Sequence, residues 1–397
     1  MKIFILAKEP FPQGMAATNR ISRYAQGLVA IGVDCEVVIA VRTEVHRKVK
    51  NYQSQGITEA DVKFRYIPPT TNRSARFIQR RIDDFCDNIR LLIWVKQNVK
   101  QGDVVLFYPF RDILLTRLIV KICHKKGGRI VRELCELPYG TVSDSFMHKS
   151  ERFVYEKWVM PRFDGFIAIS EALNTYARKA GGINSSIVKV PILIDINQYE
   201  GIVPHKQSKP YIFHAGTMYE RKDAIVSTMK AFAEANKVLK GNVDFILAGP
   251  ESPHKQELTQ IISDNNLNEN VRFLGQLTHQ EVLCYQKGAW LTILNKHDNL
   301  QNQNGFSTKL GDVLLAGTPV ITTTVGEANN FLKDGVSALI VEPHNIQAVA
   351  DAIVKAYSNP QLLEKISCES QRIAQENFDY RIHGKRLKEF FEQITYN

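Results

Sequence analysis

One short stretch of this 397-residue chain combines residue types that bind phosphate with one that binds hydroxyl groups. It reads Asn304-Gly-Phe-Ser-Thr-Lys-Leu-Gly-Asp312 and predicts a turn that leads into a helix. The first N–H groups of a helix have no partner inside it and can bind an anion. Ser307 and Thr308 are helix-capping residue types, and Lys309 adds a positive charge to the first turn. Asp312, one turn further on, could accept hydrogen bonds from hydroxyl groups.

This pattern also has a purely structural explanation. The predicted helix ends at Gly317, and a buried strand is expected at residues 319–322. A polar turn, a capped helix, a glycine and a strand are what any repeating helix–strand unit requires. The stretch therefore leaves two interpretations open. It is either a structural turn or a site for a nucleotide-sugar, whose phosphates and hydroxyls would lie at its two ends.

The bulk properties of the chain describe a globular protein of ordinary composition. Its 397 residues suggest two or three domains, and 44% of them are hydrophobic. No uncharged apolar stretch of about 18 residues occurs, so we expect no membrane-spanning helix. The first ten residues become charged too early for a signal peptide and predict a buried strand instead.

Cysteine and histidine spacing argues against a metal site. The six cysteines include no Cys-x-x-Cys pair, and the ten histidines form no His-Glu-x-x-His or similar motif. We therefore expect no metal and no cofactor, and we expect reduced thiols in the cytoplasm. The net charge of +10 indicates an anionic partner, which could be nucleic acid, a membrane surface or a phosphorylated ligand. Because no nucleic-acid-binding motif is present, we expect no nucleic-acid partner.

Short apolar runs alternate with amphipathic helical stretches along nearly the whole chain. Continuous Val, Ile and Leu strands between helices are typical of parallel sheets covered on both faces, which bind ligands beyond the carboxyl ends of their strands. No Gly-x-Gly-x-x-Gly or Gly-x-x-x-x-Gly-Lys-Ser/Thr motif occurs, which argues against dinucleotide dehydrogenases and P-loop NTPases. The predicted strands span residues 2–7, 35–41, 103–108, 129–132, 163–170, 187–190, 210–214, 243–248, 271–274, 290–294, 319–322 and 338–341.

These elements fall into two α/β domains of similar size. Residues 191–210 lack periodicity and contain three prolines, so we expect the domains to meet there. We predict one domain at residues 1–195 and a second at residues 196–377. The tail, residues 378–397, predicts a last amphipathic helix with apolar residues at positions 382, 387, 390, 391 and 394.

Residues 72–100 predict one long basic helix. The stretch carries seven basic residues against three aspartates, and apolar residues recur at helical spacing at positions 78, 82, 85, 89 and 92. The interpretation we favour is a helix that packs this apolar stripe on its sheet and leaves the basic face in solvent. The alternative is a helix that lies on anionic lipid, with the segment from Arg73 to Arg81 as the contact.

The order of these features resembles a known family. From the loop at residues 10–14 to the stretch at residues 304–312, the chain resembles the retaining, nucleotide-sugar-dependent glycosyltransferases of family 4, the group 1 enzymes. The resemblance implies an α/β fold of GT-B architecture, in which two Rossmann-like domains face each other across a cleft. It also implies that residues 1–195 bind the acceptor, that residues 196–377 bind the donor, and that the C-terminal helix returns to the N-terminal domain.

The resemblance assigns the donor phosphates to glycines and cations. Gly14 matches a glycine loop that approaches the diphosphate in the family. Gly216 and Lys222 match the family's glycine and its phosphate-binding lysine. Thr217 stands where the family has an arginine, and Arg221 could supply the missing charge. Fixed cations at these positions would stabilise a departing diphosphate.

The resemblance assigns the rest of the donor to further segments. The backbone at Gly275, Gln276 and Leu277 would contact the nucleobase. Asn304 stands where the family has a glutamate that contacts the sugar, and Asp312 replaces the glutamate that holds the ribose. The amide at Asn304 leaves the identity of the sugar open. The remaining expected donor contacts are Gly305, Phe306, Ser307, Thr308, Lys309 and Glu327.

Two glutamates of the first half stand where the family often has a histidine that faces the sugar. Glu133 and Glu136 could orient an acceptor hydroxyl or stabilise positive charge at the anomeric carbon. The alternative is that they form salt bridges with Arg132 or Arg129.

The resemblance implies a cytoplasmic enzyme that transfers a hexosyl-type sugar, with retention, from a nucleoside-diphosphate sugar to an acceptor hydroxyl. The expected acceptor is a surface glycan or a glycolipid, with peripheral contact on the inner face of a membrane. No metal and no protein nucleophile are required. Two alternatives stay open: a nucleotide-sugar epimerase of the same architecture, or a non-catalytic relative that binds a partner enzyme. Thr217 and Asn304, the departures from the family pattern, keep the second alternative open.

Overall fold

The structure consists of two compact units, each built on parallel strands. The computed structural model describes residues 1–45, 49–108, 110, 112–138 and 146–396. Unit 1 comprises Met1–Leu193 together with Tyr380–Asn397, and unit 2 comprises Ile194–Asp379.

The strands of unit 1 form a sheet in the order β3-β4-β2-β1-β5-β6-β7-β8. All neighbouring pairs are parallel except β3 with β4. The central strands are apolar and buried along their whole length because helices cover both faces of the sheet. The strands are β1 (Ile3–Ala7), β2 (Cys35–Ile39), β3 (Gln55–Ile57), β4 (Lys63–Tyr66), β5 (Val104–Phe107), β6 (Arg129–Leu134), β7 (Gly165–Ala168) and β8 (Ser186–Lys189).

Helices pack on both faces of this sheet. Ile3 and Ile5 share a core cluster with residues of α1 and α14, whereas Phe4, on the opposite face of β1, makes an edge contact with Trp94 of the second helix. The helices are α1 (Ala16–Val29), α2 (Phe77–Asn98), α3 (Ile113–Lys125), α4 (Phe146–Val154), α5 (Glu171–Ala180) and α14 (Tyr380–Tyr396), with a π-helical turn at Tyr155–Val159 and a 3-10 turn at Met160–Arg162.

The orientation of α2 corrects one sequence-based expectation. We expected the apolar repeat at positions 78, 82, 85 and 89 to pack on the sheet. Instead these side chains are exposed, and the buried residues of α2 are Asp87, Leu91 and Val95. The prediction was wrong because the strip that contacts the sheet is narrower and runs along another side of the helix.

Unit 2 contains two groups of three parallel strands, in the orders β11-β10-β9 and β12-β13-β14. Backbone hydrogen bonds from Phe213 N to Leu291 O (3.0 Å) and from Trp290 N to Tyr211 O (2.9 Å) connect the groups. The strands are β9 (Tyr211–Ala215), β10 (Asp244–Ala248), β11 (Val271–Phe273), β12 (Thr292–Leu294), β13 (Val320–Thr323) and β14 (Leu339–Val341).

The helices of unit 2 complete the alternation of strands and helices. Residues of α7 and α12 share one large apolar cluster with the strands. The helices are α6 (Glu220–Asp223), α7 (Ile225–Leu239), α8 (Lys255–Asp264), α9 (His279–Gly288), α10 (Leu300–Asn304), α11 (Thr308–Leu315), α12 (Ile346–Ser358) and α13 (Pro360–Phe378), with a 3-10 turn at Glu327–Asn330. Each predicted strand overlaps an observed one, and the predicted α/β class with parallel sheets is confirmed. In the part of the chain that is described, no helix has the length and apolar character needed to cross a bilayer.

Candidate functional site

Three glycine turns follow neighbouring strands of unit 2 at their carboxyl ends. They contain Gly216, Gly249 and Gly275, which follow β9, β10 and β11. Gly216 N donates to Ala248 O (2.9 Å), and Gly249 N donates to Gly275 O (2.8 Å). A Cβ added to Gly249 would lie 1.9 Å from Gly216 O, so only glycine fits there. The glycines thus let these turns pack on one another, and the backbone of Gly275 stays open at the edge.

The start of α11 lies against the first of these turns. A Cβ added to Gly216, whose φ is +157°, would lie 2.1 Å from Lys309 Nζ and 2.7 Å from Lys309 Cε. Ser307 occupies the N-cap position of α11, as predicted, but its side chain makes no capping hydrogen bond that the structure describes. Thr308 is exposed at the first helical position. The predicted helix start, its lysine and Gly216 are therefore brought together.

Asp223 anchors two lysines beside this contact. Lys309 Nζ lies 3.2 Å from Asp223 Oδ1, and Lys296 Nζ lies 3.1 Å from the same oxygen. Thr217 Oγ1 lies 3.4 Å from the other carboxylate oxygen. Two amines on one carboxylate leave a net positive charge at the carboxyl edge of the sheet. We call Lys296, Lys309 and Asp223 the lysine cluster.

Burial and neighbouring charges shift the protonation of this cluster. Burial lowers the pKa of Lys309 to about 8; Asp223 opposes the shift and Lys296 adds to it. Burial also lowers the pKa of Lys296, again against the pull of Asp223. Burial by itself would raise the pKa of Asp223, yet the two amines hold that pKa well below its usual range. Asp223 is therefore an anion throughout the physiological pH range. Lys309, with a pKa of about 8, changes its protonation just above neutral pH.

A buried histidine adjoins the lysine cluster. His214 is 4% exposed, and its Nε2 has no hydrogen-bond partner in the part of the chain that the structure describes. That nitrogen lies 3.6 Å from where a Cβ of Gly216 would be. Burial, and then the Lys309 amine, lowers the pKa of His214 to about 3, so the ring is neutral. A neutral ring beside two amines adds polarity without adding charge.

Sequence reasoning missed three members of this arrangement. His214 lies two residues before Gly216, Asp223 directly follows Lys222, and Lys296 lies two residues after β12. A cation just beyond the end of a buried strand is a signal that could have identified Lys296, because ligands of such sheets bind at that edge.

Arg221 and Lys222 lie in the short helix α6, and both side chains are exposed. Their carbonyls hold neighbouring loops: Arg221 O accepts from Asn299 Nδ2 (2.9 Å), and Lys222 O accepts from Lys296 Nζ (2.7 Å). The structure thus places both residues next to the lysine cluster. Phosphate binding by their side chains stays a prediction.

Asp312 and Asn304 already have protein partners. Gln198 Nε2 donates to Asp312 Oδ1 (2.7 Å), and Tyr199 OH donates to the Asp312 carbonyl (3.1 Å). Asn304 Nδ2 donates to Leu300 O (2.8 Å). A ribose or sugar hydroxyl would therefore join or replace these contacts.

The loop that carries Glu327 packs on the predicted donor turn. Gly326 has φ +79°, and a Cβ there would lie 2.5 Å from Asn302 O and 3.0 Å from Gly305 O. Glu327 is buried at the start of the 3-10 turn, 3% exposed. Phe306 is buried and stacks on Phe331 at 5.5 Å, so it anchors the turn in the core of unit 2.

The predicted nucleobase contacts lie at an open position. Gly275 has φ +69°, and no atom lies within 4 Å of where its Cβ would be. Gln276 is exposed, whereas Leu277 packs partly on a small apolar cluster that includes Phe213 and Ile246. The backbone there is accessible to a ligand.

The predicted residues of unit 1 divide into turn and core positions. A Cβ on Gly14 would lie 1.9 Å from Thr18 Oγ1, which donates to Pro10 O, so this glycine permits the tight turn before α1. Glu133 is fully buried; Arg20 Nε and Tyr24 OH donate to its two oxygens at 2.8 and 2.9 Å. The predicted catalytic role of Glu133 therefore lacks support, because both of its oxygens are occupied inside the core. Its salt-bridge partner is Arg20 rather than Arg132 or Arg129.

Glu136, by contrast, is exposed at the carboxyl end of β6. Burial and then the charge of Glu136 raise the pKa of Glu9, which follows β1. The two carboxyl groups are therefore neighbours at the edge of the unit 1 sheet. Among the described residues, no group of three or more His, Cys, Asp or Glu side chains could hold a metal ion.

Comparison with known proteins shows what unit 2 is similar to. Residues 195–372 match the family model described as "Glycosyl transferases group 1". The chain is 27% identical over 131 residues to the 2-deoxystreptamine N-acetyl-D-glucosaminyltransferase of Niallia circulans, covering 33% of this chain and 32% of that protein. It is 21% identical over 236 residues to the O-antigen chain mannosyltransferase RfbU of Salmonella typhimurium, covering 59% and 62%. The chain thus spans less than two thirds of the length of these curated relatives.

A solved structure resembles the whole chain. The Anabaena protein HepE, solved in complex with UDP, superposes with a TM-score of 0.72 at 16% identity and covers 99% of this chain and 100% of its own. Two Rossmann-like units, the second with glycine turns and lysines at the carboxyl ends of its strands, define the GT-B fold. Residues 195–372, nearly the whole of unit 2, are similar to the group 1 glycosyltransferases.

Proposed function

We propose that this protein transfers a sugar from a nucleoside-diphosphate sugar to an acceptor hydroxyl. The observation that carries the proposal is the lysine cluster beside the glycine turns of unit 2. Lys309 and Lys296 share Asp223 at 3.2 and 3.1 Å, next to the bare backbone of Gly216. This is an arrangement that can accept a diphosphate.

The chemistry follows from the charge that develops during transfer. When the bond between the sugar and the diphosphate breaks, the leaving oxygen gains negative charge, and cations already in place stabilise it. Lys309 and the start of α11 would act first, with the exposed side chains of Lys222 and Arg221 as further cations. We infer that the sugar keeps its anomeric configuration by attack on the face that the diphosphate leaves. Neither a metal, a cofactor nor a protein nucleophile takes part in this scheme.

We propose further that the donor is a uridine nucleotide-sugar. The complex of HepE with UDP, on the same fold, supports this choice. The base would contact the open backbone at Gly275 and Gln276. Asp312 would hold the ribose in exchange for its contact with Gln198, and Asn304 would contact the transferred sugar.

The biological setting that we propose is surface polysaccharide or glycolipid synthesis at the cytoplasmic face of a membrane. The name of one relative, the O-antigen chain mannosyltransferase, supports a glycan acceptor. Peripheral contact would involve the basic segment from Arg73 to Arg81, which leads into α2 and includes its first turn. The charge of +10 supports attraction to anionic lipid.

Titration with UDP, GDP and ADP tests the donor assignment. Lys309→Met removes the amine that lies on Gly216, while Lys296 still pairs with Asp223, so the fold should be retained. We expect wild type to bind UDP and Lys309→Met to bind it about tenfold more weakly, the loss of one charge-assisted contact. Lys355→Met, an exposed lysine of α12, is the control and should not change binding.

Three outcomes would contradict the proposal. If no nucleoside diphosphate binds wild type, unit 2 is not a donor site. If nucleotide-sugars bind but a panel of them is never hydrolysed or transferred, the protein is a non-catalytic relative. Interconversion of the sugar without any acceptor would instead identify an epimerase.

A further inference from the structure

A cavity lies at the carboxyl edge of the unit 1 sheet. Its volume is about 400 Å³. Lys8 follows β1, Arg42 follows β2 and Asp112 follows β5, while Arg81 and Asn88 reach it from α2. Because β2 and β5 flank β1 on opposite sides, the cavity lies where the strand order reverses. Open α/β sheets bind ligands at such points.

Cations dominate the lining of this cavity. Lys8, Arg42, Arg73 and Arg81 line it, against the carboxylates of Asp84 and Asp112. One carboxylate is partly engaged, since Arg73 Nη2 lies 3.8 Å from Asp84 Oδ2. Asp112 caps α3, and its Oδ1 accepts from Leu115 N at 2.8 Å. The lining therefore carries surplus positive charge.

Two of these cations are available to a ligand. The Arg81 guanidinium lies over the ring of Phe77 at 5.2 Å, and Lys8 Nζ lies over the ring of Phe110 at 4.5 Å. Neither makes an ion pair with any carboxylate of the described residues within 4 Å. Arg42, by contrast, is held by Asp83 and Asp87 and belongs to the framework of the cavity.

The cationic lining continues along the start of α2. A second hollow of about 170 Å³ shares Arg73, Arg81 and Asp84 with the cavity and adds Arg80 and Phe77. A ligand larger than the cavity could therefore extend outward over an apolar ring and a further guanidinium.

One polar group in the lining points to hydroxyl groups. Asn88 is partly buried, and its Oδ1 has no hydrogen-bond partner in the described part of the chain. Buried polar atoms are normally paired. The Asn88 oxygen is itself buried, so the side chain would have to rotate toward the cavity for a ligand hydroxyl to supply the missing donor. The guanidinium and amine groups would bind a phosphate of the same ligand.

We propose that this cavity binds a phosphate ester of a polyhydroxy compound, and that this compound is the acceptor of the transfer reaction. Arg81 and Lys8 bind the phosphate, and Asn88 binds a hydroxyl. The identification as acceptor rests on the function proposed above, whereas the phosphate site itself does not. The ester is either a soluble sugar or polyol phosphate or the phosphate head of a lipid carrier.

Binding of sn-glycerol 3-phosphate to the full chain, followed by calorimetry or ligand-observed NMR, tests the site. We expect the affinity to fall about tenfold in Lys8→Gln and in Arg81→Gln, which each remove one charge-assisted contact. Arg178→Gln, an exposed arginine of α5 that lines neither hollow, is the matched control and should bind like wild type. Glycerol without phosphate should bind much more weakly. Thermal unfolding of each variant confirms that it is folded.

The donor site is tested in parallel so that the two proposals fail separately. Lys309→Met should bind UDP more weakly and glycerol 3-phosphate as wild type does. Arg81→Gln should bind glycerol 3-phosphate more weakly and UDP as wild type does. If glycerol 3-phosphate is lost only in Lys309→Met, the phosphate binds the donor site and the cavity proposal is overturned. If UDP fails to bind wild type while the phosphate ester follows Arg81 and Lys8, the cavity proposal stands and the transfer function falls.

Vesicles distinguish the two sources of the phosphate. Phosphatidylcholine vesicles with dodecyl phosphate should bind wild type more tightly than vesicles without it if the ester is lipid-borne, and Lys8→Gln should reduce that gain. If glycerol 3-phosphate binds and dodecyl phosphate adds nothing, the source is soluble. If neither probe depends on Lys8 or Arg81, the cavity does not bind phosphate esters.

Discussion

Lys309 is the residue whose protonation should control nucleotide binding. Its pKa is about 8 because burial disfavours the charged amine more than Asp223 favours it. A bound diphosphate favours the charged form and raises that pKa in the complex. Above pH 8 the free protein has lost the proton that the complex retains, so binding takes up a proton. UDP affinity should therefore fall as the pH rises through about 8, by up to tenfold per pH unit.

Calorimetry from about pH 7 to about pH 9.5, in two buffers of different ionisation enthalpy, measures this proton uptake directly. In Lys309→Met the affinity should be lower at pH 7 and nearly independent of pH over the same range. An equal slope in wild type and in Lys309→Met would mean that another group titrates.

At the scale of residues, the sequence predicted positions that depend on local order and missed those that depend on the fold. Lys309 was predicted because it lies in the first turn of a helix that the sequence shows. Glu133 was misassigned because its partners, Arg20 and Tyr24, lie 113 and 109 positions away along the chain. Lys296 was missed because only the folded sheet brings it to Asp223. Contacts between distant segments have no local signature.

At the scale of elements, two glycines let the first and last helices of unit 1 cross closely. A Cβ on Gly27 of α1 would lie 2.6 Å from Tyr380 O, and a Cβ on Gly384 of α14 would lie 2.2 Å from Gly27 O. The backbones therefore touch, and Leu387 and Phe391 of α14 reach the core of the sheet. This crossing fixes the C-terminal helix to unit 1.

Gly384→Val should separate this helix pair. The added side chain meets backbone rather than a movable side chain, so overpacking should cost about 1–3 kcal/mol or more of unfolding free energy. Denaturant or thermal unfolding measures the loss. Lys385→Ala, the exposed neighbour in the same helix, is the control and should unfold like wild type. Equal stability of the two variants would show that α14 is not packed as described.

The sequence predicted elements well where apolar runs are continuous. All the central strands of unit 1 are such runs. It missed β3 and β4, which lie at the end of the sheet, because Gln55–Ile57 has no buried residue and only Phe64 and Tyr66 of Lys63–Tyr66 are buried. The sequence also predicted the approximate length of α2 but not which side of the helix packs on the sheet. Periodicity identifies an apolar face of a helix, but it does not indicate whether that face packs against the protein or against another surface.

At the scale of the whole molecule, α2 exposes an apolar stripe on a protein whose net charge is +10. Ile78, Ile82, Phe85, Ile89 and Ile93 are 43–74% exposed and lie on one side of the helix. The aspartates of α2 are engaged with arginines: Arg42 contacts Asp83 and Asp87, Arg90 contacts Asp87, and Arg73 lies near Asp84. Basic residues therefore set the charge around the stripe, and a second copy of the same helix would meet like charges. An anionic bilayer complements both properties.

Vesicle sedimentation tests whether α2 contacts a membrane. Wild type should bind phosphatidylglycerol vesicles at low salt and dissociate as salt screens the attraction. Arg76→Gln with Arg80→Gln should weaken binding roughly thirtyfold, because each basic residue near an anionic surface contributes about 1 kcal/mol. Ile82→Ser with Phe85→Ser should weaken binding at low and high salt alike, since it removes apolar insertion rather than charge.

Ile183→Ser supplies the control for the apolar pair. Ile183 is fully exposed in the loop between α5 and β8, away from α2 in the sequence, and its replacement removes the same kind of surface. It should bind vesicles like wild type. If it weakens binding as much as the α2 pair does, apolar insertion is not specific to α2. If none of the variants differs from wild type, α2 does not contact lipid.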